Sequence, residues 1–146
     1  MMTIKLKAGL YIVSTPIGNM KDLSSRAIET LENVFFIACE DTRVTGKLLF
    51  RYSIKTPMKA YHEHSSKKVR DTILEAIAGN KAVALVSDAG TPTISDPGYK
   101  LIRLCIEKNY YISALPGANA AITGLVVSGI PTNRFLFFGF LNSKKI

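Results

Sequence analysis

The stretch that decides the fold is SDAGTPTISDPG, residues 87–98, which follows the apolar run KAVALV at residues 81–86. An ordinary surface loop needs polar residues, but it does not need this many glycines and prolines with special backbone geometry. Because glycine has no Cβ, another group can approach its backbone closely. We therefore expect a buried strand that ends in a loop against which a ligand lies.

Similar apolar runs recur along the chain and alternate with segments of helical periodicity. This alternation is typical of βαβ units around a mostly parallel sheet. The predicted strands are GLYIVS (9–14), VFFIAC (34–39), MKAYH (58–62), KAVALVS (81–87), YYISAL (110–115) and RFLFFGF (134–140). The clearest helix spans residues 65–78, whose apolar residues share one face and which ends before Gly79. The sequence predicts an α/β fold with a mostly parallel open sheet flanked by helices.

Composition limits the class of protein. The 146 residues are 47% hydrophobic and 21% charged, which is enough for one globular domain with a sizeable core. Nineteen Lys and Arg residues against eleven Asp and Glu residues give a net charge of +8, which favours an anionic partner such as nucleic acid. Cys39 and Cys105 lack CxxC spacing, so we expect reduced, buried thiols in a cytoplasmic protein.

Two segments could be mistaken for targeting or membrane signals. The N-terminus has no apolar run long enough for a signal peptide, and Pro16 and Gly18 interrupt it. Residues 110–133 carry no charge, but Pro116 and Gly117 leave only residues 120–130 as continuous helix. A bilayer needs about 20 residues. We expect a buried strand, a loop and a buried helix in this segment, and no membrane span.

Unusual motifs follow five of the predicted strands. They are TPIGN (15–19), EDTR (40–43), HEHS (62–65), the 87–98 stretch and PGANAA (116–121). The carboxyl ends of parallel strands meet at one edge of the sheet, where open α/β folds bind ligands beside a topological switch point. No GxGxxG is present, which disfavours a nicotinamide or flavin dinucleotide. PGANAA also opens a helix, whose free N–H groups suit a carboxylate or phosphate.

Several of these residues have a simpler structural interpretation. Asp41 lies where doubly wound folds often hold a ribose, but it can equally cap the helix that begins at Thr42. His62, Glu63 and His64 form an incomplete set of metal ligands, so we favour a polar surface loop and predict no metal.

The basic residues are concentrated in one part of the chain. Residues 42–61 contain no carboxylate, while Arg43, Lys47 and Arg51 recur every four residues. On a helix this spacing places them on one face. Such a face is either solvated or contacts phosphates, and both interpretations stay open; an RNA substrate fits the second.

The motifs together carry a resemblance to a known family. STPIGNMKDLSSRAIETL (14–31), CEDTR (39–43), HEHS (62–65), LVSDAGTPTISDPG (85–98) and PGANAAITGLVVSGIPTNRFLFFGFL (116–141) occur in a characteristic order and spacing. They resemble the N-terminal domain of the small-subunit ribosomal RNA methyltransferases within the tetrapyrrole methylase superfamily. The resemblance spans residues 9–141, and VSDAGTPTISDPG separates this branch from the cobalamin and sirohaem branches.

The resemblance implies an S-adenosylmethionine-dependent enzyme that 2′-O-methylates a cytidine ribose in small-subunit ribosomal RNA. It implies a homodimer and a cofactor cleft between two α/β domains, of which residues 1–141 are the first and residues 142–146 begin the linker to a second domain that lies outside this chain. The cofactor would contact Asp88, Ala89, Gly90, Thr91, Pro92, Ile94, Gly117, Ala118, Asn119 and Ala120. The substrate side would comprise Pro16, Gly18, Asn19, Asp41, Thr42 and Arg43, with Lys47 and Arg51 from the basic face.

A ribose hydroxyl must lose its proton during methylation, and a positioned base contributes about 10²–10⁴-fold. Asp41 is the first candidate, ahead of His64 and His62, with a helix cap or an ion pair to Arg43 as the alternative. Without the second domain we expect weak cofactor affinity and little turnover. Two other functions stay open: a non-catalytic RNA-binding or dimerising module, and methylation of a tetrapyrrole, against which the basic face and the 87–98 stretch argue.

Overall fold

A computed structural model describes residues 5–62 and 65–141 of the chain. The strands are β1 (Gly9–Val13), β2 (Phe36–Cys39), β3 (Met58–Ala60), β4 (Ala82–Val86) and β5 (Ile112–Leu115). The helices are α1 (Ser25–Asn33), α2 (Thr42–Arg51), α3 (Lys67–Ala78), α4 (Tyr99–Glu107) and α5 (Ala120–Val127), with a short 3₁₀ turn at Met20–Asp22.

The strands form one sheet in the order β3-β2-β4-β1-β5, and every pairing is parallel. The chain moves from β1 towards one edge through α1 and α2, then returns across the sheet through α3 and α4. Right-handed crossovers in opposite directions place their helices on opposite faces of a sheet. The connections that leave β1 and β4 therefore diverge, which opens a crevice at the carboxyl ends of these neighbouring strands.

Two hydrophobic cores cover the two faces of the sheet. The first includes Ile37 and Val86 from the strands with Leu31 of α1 and Leu48 of α2. The second includes side chains from the opposite faces of the same strands, together with α3 and α4: Leu10, Phe36, Leu85, Ile73 and Leu101. Strands β1 and β4 are buried throughout because helices cover both of their faces.

The α/β fold and the parallel sheet expected from the sequence are confirmed, and five of the predicted strands are present. The strand predicted at residues 134–140 is wrong, because this segment forms no strand. It lies instead along the loop that follows β4: Phe137 lines a cleft with Gly90, and a Cβ added to Gly139 would lie 3.7 Å from the Ser95 hydroxyl. An apolar segment forms a stable strand only when a neighbouring strand is available to pair with it.

The helix predicted to be buried at residues 120–130 is also corrected. Helix α5 ends at Val127 and contains no buried residue. Burial requires another element against its apolar surface, and nothing in residues 5–62 and 65–141 covers it, so Val126 and Val127 are exposed. The linker predicted at residues 142–146 lies outside the described residues. No helix in the described part of the chain is long and apolar enough to cross a bilayer.

Candidate functional site

The end of β1 and the loop after β4 are joined by backbone hydrogen bonds. The Thr15 N–H donates to the Gly90 carbonyl at 2.9 Å, and the Gly90 N–H donates to the Thr15 carbonyl at 3.0 Å. The Thr15 hydroxyl also donates to the Ser87 carbonyl at 3.2 Å. Gly90 adopts a φ of 85°, a left-handed conformation that residues with a Cβ rarely adopt. The glycine in this stretch is therefore required by the way the loop meets β1.

A short chain of hydroxyl groups adds a third loop, the PGANAA segment after β5. The Thr91 hydroxyl donates to the Ala118 carbonyl at 3.0 Å and lies 3.0 Å from the Ser14 hydroxyl. The Ser14 hydroxyl also lies 3.4 Å from the Leu115 carbonyl, to which it can donate. Gly117 allows this contact, since a Cβ at that position would lie 2.6 Å from Ser14 Cβ. The loops after β1, β4 and β5 are thus held together by buried or half-buried polar contacts.

These three loops enclose a cleft of about 130 Å³, here called the strand-end cleft. Six of the predicted cofactor residues line it: Ala89, Gly90, Thr91, Ile94, Asn119 and Ala120. Four lining residues were not singled out from the sequence: Ile17, Asp96, Ala121 and Phe137. The first three lie within the motifs that follow predicted strands, so their positions were a usable signal. Phe137 lies in a segment predicted to be a strand, and it lines the cleft because residues 134–140 pack along the loop after β4.

The remaining predicted cofactor residues do not line the strand-end cleft. Pro92 is buried, and Gly117 and Ala118 support the loops through Ser14 and Thr91 as described above. Asp88 lines a second, smaller cavity of about 50 Å³ on the α2 side of the Thr15–Gly90 bridge. Pro16 lines the same cavity, so one predicted substrate residue lies beside one predicted cofactor residue.

Asp41 lies close to the loop after β4, because its backbone N–H donates to the Asp88 carboxylate at 3.0 Å. Its own carboxylate caps α2 by accepting from the Arg43 N–H at 2.8 Å, and it forms an ion pair with the Arg43 guanidinium at 2.6 Å. These side-chain and backbone hydrogen bonds lower the pKa of Asp41 to about 2. Both structural alternatives considered for Asp41 are therefore present, and a carboxylate held ionised in this way is a weak proton acceptor.

Two other carboxyl groups at this edge have pKa values shifted in the opposite direction. Burial, followed by the negative charges of Asp88 and Asp96, raises the pKa of Glu40. Burial raises the pKa of Asp96, with the Asp88 charge as a further contribution and Ser87 opposing it. Asp96 lines the strand-end cleft, whereas Glu40 lines neither cavity and lies next to Asp41 after β2. Raised carboxyl pKa values near a cleft are typical of functional sites, although ion-pair networks also produce them. A protein with a net charge of +8 therefore has a locally acidic edge where its loops converge.

The predicted basic face is present on α2. This helix buries Thr45, Leu48 and Leu49, so the opposite face carries exposed Arg43, Lys47 and Arg51, and Thr42 is its first residue. By contrast, Gly18 and Asn19 do not line either cavity. Asn19 accepts from the Lys21 N–H at 3.0 Å and so caps the 3₁₀ turn.

His62 lies at the end of β3, where its ring Nδ1 is 3.2 Å from the Ser65 hydroxyl. His64, the other histidine considered as a base, lies outside the described residues. Within residues 5–62 and 65–141 there is no cluster of three or more metal-ligating side chains. Cys39 and Cys105 are free and buried, and burial raises the pKa of both thiols, as expected for structural cysteines.

Comparison with known proteins identifies what the chain is similar to. The profile of the family described as Tetrapyrrole (Corrin/Porphyrin) Methylases matches residues 9–138. Ribosomal RNA small subunit methyltransferase I of Rickettsia prowazekii is 54% identical over 136 residues, which cover 93% of this chain and 49% of that protein. The protein of the same name from Bacillus subtilis is 51% identical, covering 93% of this chain and 47% of the relative. The chain spans about half the length of the curated relatives it matches.

Solved structures show the same fold at low sequence identity. Uroporphyrin-III-C-methyltransferase from Thermus thermophilus superposes with a TM-score of 0.63 at 16% identity, covering 87% of this chain and 54% of that one. A putative cobalamin synthesis related protein, CobF, from Corynebacterium diphtheriae gives a TM-score of 0.59 at 19% identity, covering 86% of this chain and 60% of that one.

Proposed function

The chain belongs to the tetrapyrrole (corrin/porphyrin) methylase family, and from this premise we propose that it carries one half of an S-adenosylmethionine-dependent methyltransferase acting on small-subunit ribosomal RNA. The observation that carries the proposal is the convergence of three loops on an acidic cleft beside a basic helix. The relatives named above are small-subunit ribosomal RNA methyltransferases, which supports the same substrate class.

The strand-end cleft suits S-adenosylmethionine in charge and in shape. This cofactor carries a sulfonium and an ammonium cation, and the carboxylates of Asp88 and Asp96 lie at the cleft or beside it. The alanine and glycine residues that line the cleft leave room for the flat adenine ring. Its volume of about 130 Å³ is below the roughly 300–1,000 Å³ of a complete small-molecule pocket, so a second wall is needed. We therefore expect weak binding by this chain alone.

The cofactor supplies a methyl group on sulfur, which leaves by in-line displacement. The protein must align the acceptor oxygen with that methyl group, and such positioning is worth up to about 7–11 kcal/mol. Thr91 helps to position the cofactor because it links Ser14, which follows β1, to Ala118 in the loop before α5. We assign Gly90, Thr91 and Asn119 to cofactor binding because all three line the strand-end cleft; the Asn119 side-chain oxygen also caps α5 by accepting from the Ile122 N–H at 3.1 Å.

The ribose hydroxyl has to transfer its proton to a base. We assign this role to Glu40 in preference to Asp41, since a carboxylate with a raised pKa accepts a proton more readily than one with a lowered pKa. The pKa of Glu40 is raised by burial and by neighbouring carboxylates, whereas the Arg43 hydrogen bonds lower that of Asp41 to about 2. The role of Asp41 is then structural: it caps α2 and holds Arg43, the first residue of the basic face.

The RNA is proposed to lie along α2, with Lys47 and Arg51 on its phosphates. The methylated group is proposed to be a cytidine 2′-oxygen, and the enzyme to be a cytoplasmic homodimer. The exposed apolar surface of α5 and residues 130–141 supports self-association.

Two measurements test the proposal. Isothermal titration should detect S-adenosylmethionine binding to the chain, with affinity reduced by Asn119→Ala and not by Ser24→Ala, which removes the corresponding helix cap from α1. Mass spectrometry of small-subunit ribosomal RNA from cells with and without the full-length gene should show loss of one ribose methyl group. An unchanged modification pattern would remove the RNA-ribose assignment. Salt-dependent RNA binding without any cofactor binding would instead favour the non-catalytic RNA-binding module.

A further inference from the structure

Phe50 is a phenylalanine on the surface of α2 that is 87% exposed. Its sequence neighbours Leu48 and Leu49 are buried in the first core, so the helix turns Phe50 away from the protein. Other aromatic side chains nearby have partners: the Tyr52 hydroxyl donates to the Met20 carbonyl. In the described residues no ring or cation contact holds the Phe50 side chain. A single exposed apolar side chain is common on protein surfaces, so the exposure of Phe50 becomes informative only through the charged side chains around it.

The ring belongs to the basic face of α2. Residues three and four apart on a helix share one face, so Phe50 lies on the same face as Lys47. Arg51 is its neighbour in the sequence. A rise of about 1.5 Å per residue places Phe50 about 12 Å along the helix axis from Thr42, which begins the helix at the acidic edge. At that distance the ring is too far to touch a nucleotide being methylated, and it is well placed for a neighbouring one.

The local charge favours a polyanion as the occupant. Residues 42–61 contain five cationic side chains and no carboxylate: Arg43, Lys47, Arg51, Lys55 and Lys59. Protein interfaces with an exposed aromatic centre are usually depleted in lysine. Single-stranded RNA is held by the combination found here, namely an aromatic ring on which a base stacks and cations along the phosphates.

We propose that Phe50 is a stacking platform for an unpaired base of the RNA, with Lys47 and Arg51 on the adjacent phosphates. The proposal rests on the proposed function, because it names the residue that holds a nucleotide flanking the methylated one. It adds an aromatic contact to a binding surface that is otherwise electrostatic.

The test measures binding of a labelled, unpaired dodecamer of cytidine and uridine to the 146-residue chain across a range of KCl concentrations. Phe50→Ala should weaken binding by roughly 5- to 100-fold, the usual effect of losing one stacked base. It should leave unchanged the slope of the logarithm of the binding constant against the logarithm of the KCl concentration, here called the salt slope. Lys47→Ala should lower that slope by about 0.7, as expected for one lost phosphate contact with a single strand. Phe35→Ala is the control for loss of a surface phenylalanine outside α2, since Phe35 is 53% exposed and precedes β2, where its ring contacts Phe36 and the Lys81 ammonium.

A second readout uses the absence of tryptophan from the chain. Phe50→Trp introduces a single reporter whose fluorescence should be quenched by the dodecamer, because a stacked base quenches the indole. A Phe35→Trp chain should show no quenching. Both variants change an exposed side chain, so their circular dichroism should match that of the unchanged chain.

The outcomes separate this inference from the function on which it rests. RNA binding that is weakened by Lys47→Ala but not by Phe50→Ala, with no quenching in Phe50→Trp, overturns the stacking role and leaves the RNA assignment standing. If the unchanged chain does not bind the dodecamer at all, both fail together. If Phe50→Ala changes the sedimentation coefficient and not RNA affinity, the ring is a protein contact and the stacking role is wrong.

Discussion

Gly117 shows how a single residue sets the geometry of the strand-end cleft. The absence of its Cβ lets the loop after β5 approach Ser14, whose hydroxyl lies within hydrogen-bond distance of the Thr91 hydroxyl. Thr91 in turn donates to the Ala118 carbonyl, next to Gly117 in the chain. Close packing and hydrogen bonding therefore depend on each other here, and a change at one residue should affect binding at the whole cleft.

Gly117→Ala is expected to destabilise the fold by about 1–3 kcal/mol, the usual cost of forcing an extra methyl group into a packed site. The new Cβ would lie 2.6 Å from Ser14 Cβ and 3.3 Å from its hydroxyl oxygen. Thermal unfolding should show a lower melting temperature, and titration should show a lower affinity for the cofactor. Gly124→Ala is the control, since nothing lies within 4 Å of a Cβ there and the residue is helical. Equal melting temperatures for the two variants would contradict this account.

Asp41 should contribute stability that depends on pH. Its folded pKa of about 2 is lower than the ordinary value of 3.8, so the contribution is present above pH 3.8 and is lost as the pH falls towards 2. Asp41→Asn keeps a capping side chain but removes the charge. Urea unfolding at several pH values should show a difference from the unchanged chain at pH 7 that disappears near pH 2. A difference independent of pH would show that the ion pair with Arg43 contributes nothing.

Glu40→Gln should lower methyl transfer by about 10²–10⁴-fold, whereas Asp41→Asn should have a much smaller effect. The assay uses a chimera that joins this chain to the C-terminal half of the Rickettsia prowazekii relative. Because the pKa of Glu40 is raised, kcat should increase as the pH rises through that pKa and then level off. Glu40→Gln should abolish this increase of kcat with pH. If Asp41→Asn is the more damaging change, the base is Asp41.

At the level of the secondary-structure elements, α2 separates two electrostatic environments. Its N-terminus is capped by Asp41 at the acidic edge, and its exposed face carries the basic residues away from that edge. Carboxylates at a helix N-terminus are stabilised by the helix dipole, and arginine in the last turn is stabilised in the same way. One helix can therefore present a cation-binding edge and an anion-binding face to two different ligands.

Arg51→Glu should weaken RNA binding, since a phosphate contact is replaced by repulsion. The salt slope of binding should fall in magnitude by about 0.7 or more. Lys108→Glu makes a comparable change in net charge at the end of α4, away from the basic face, and should have little effect. Filter binding at several salt concentrations distinguishes the two variants. Equal losses of RNA affinity in the two variants would mean that only the net charge of +8 matters and that α2 has no special role in RNA binding.

At the level of the whole molecule, apolar surface is unevenly distributed. Two cores cover the sheet, yet α5 and the segment that follows it leave many large apolar side chains in water. The exposed residues include Val126, Val127, Ile130, Leu136, Phe138 and Phe140. An accumulation of exposed apolar side chains of this size is typical of an interface. The part of the molecule beyond β5 is therefore where the chain needs a partner.

The chain is expected to self-associate through this surface. Replacing both Val126 and Val127 with aspartate should shift the sedimentation coefficient towards that of a monomer, because charges on both partners would be brought together. Ile106→Asp is the control, since Ile106 is 60% exposed but lies on α4. A chain that sediments as a monomer at all concentrations would count against self-association.

The sequence by itself determined five of the six predicted strands, the helix that ends before Gly79 and the loops that meet at the carboxyl edge of the sheet. It could do so because apolar periodicity and glycine or proline turns are local properties of the chain. The motifs at 87–98 and 116–121 lie together for the same reason, since parallel strands bring their ends to one edge.

Only the tertiary structure decided what each of these residues contacts. It showed that the Asp41 carboxylate is engaged by Arg43, that Asp96 lines the cleft, and that Thr91 bridges two other loops. It also showed that α5 and residues 134–140 are exposed, although both are as apolar as a core element. An apolar pattern indicates that a segment favours burial, but the surface against which it is buried depends on residues distant in the sequence.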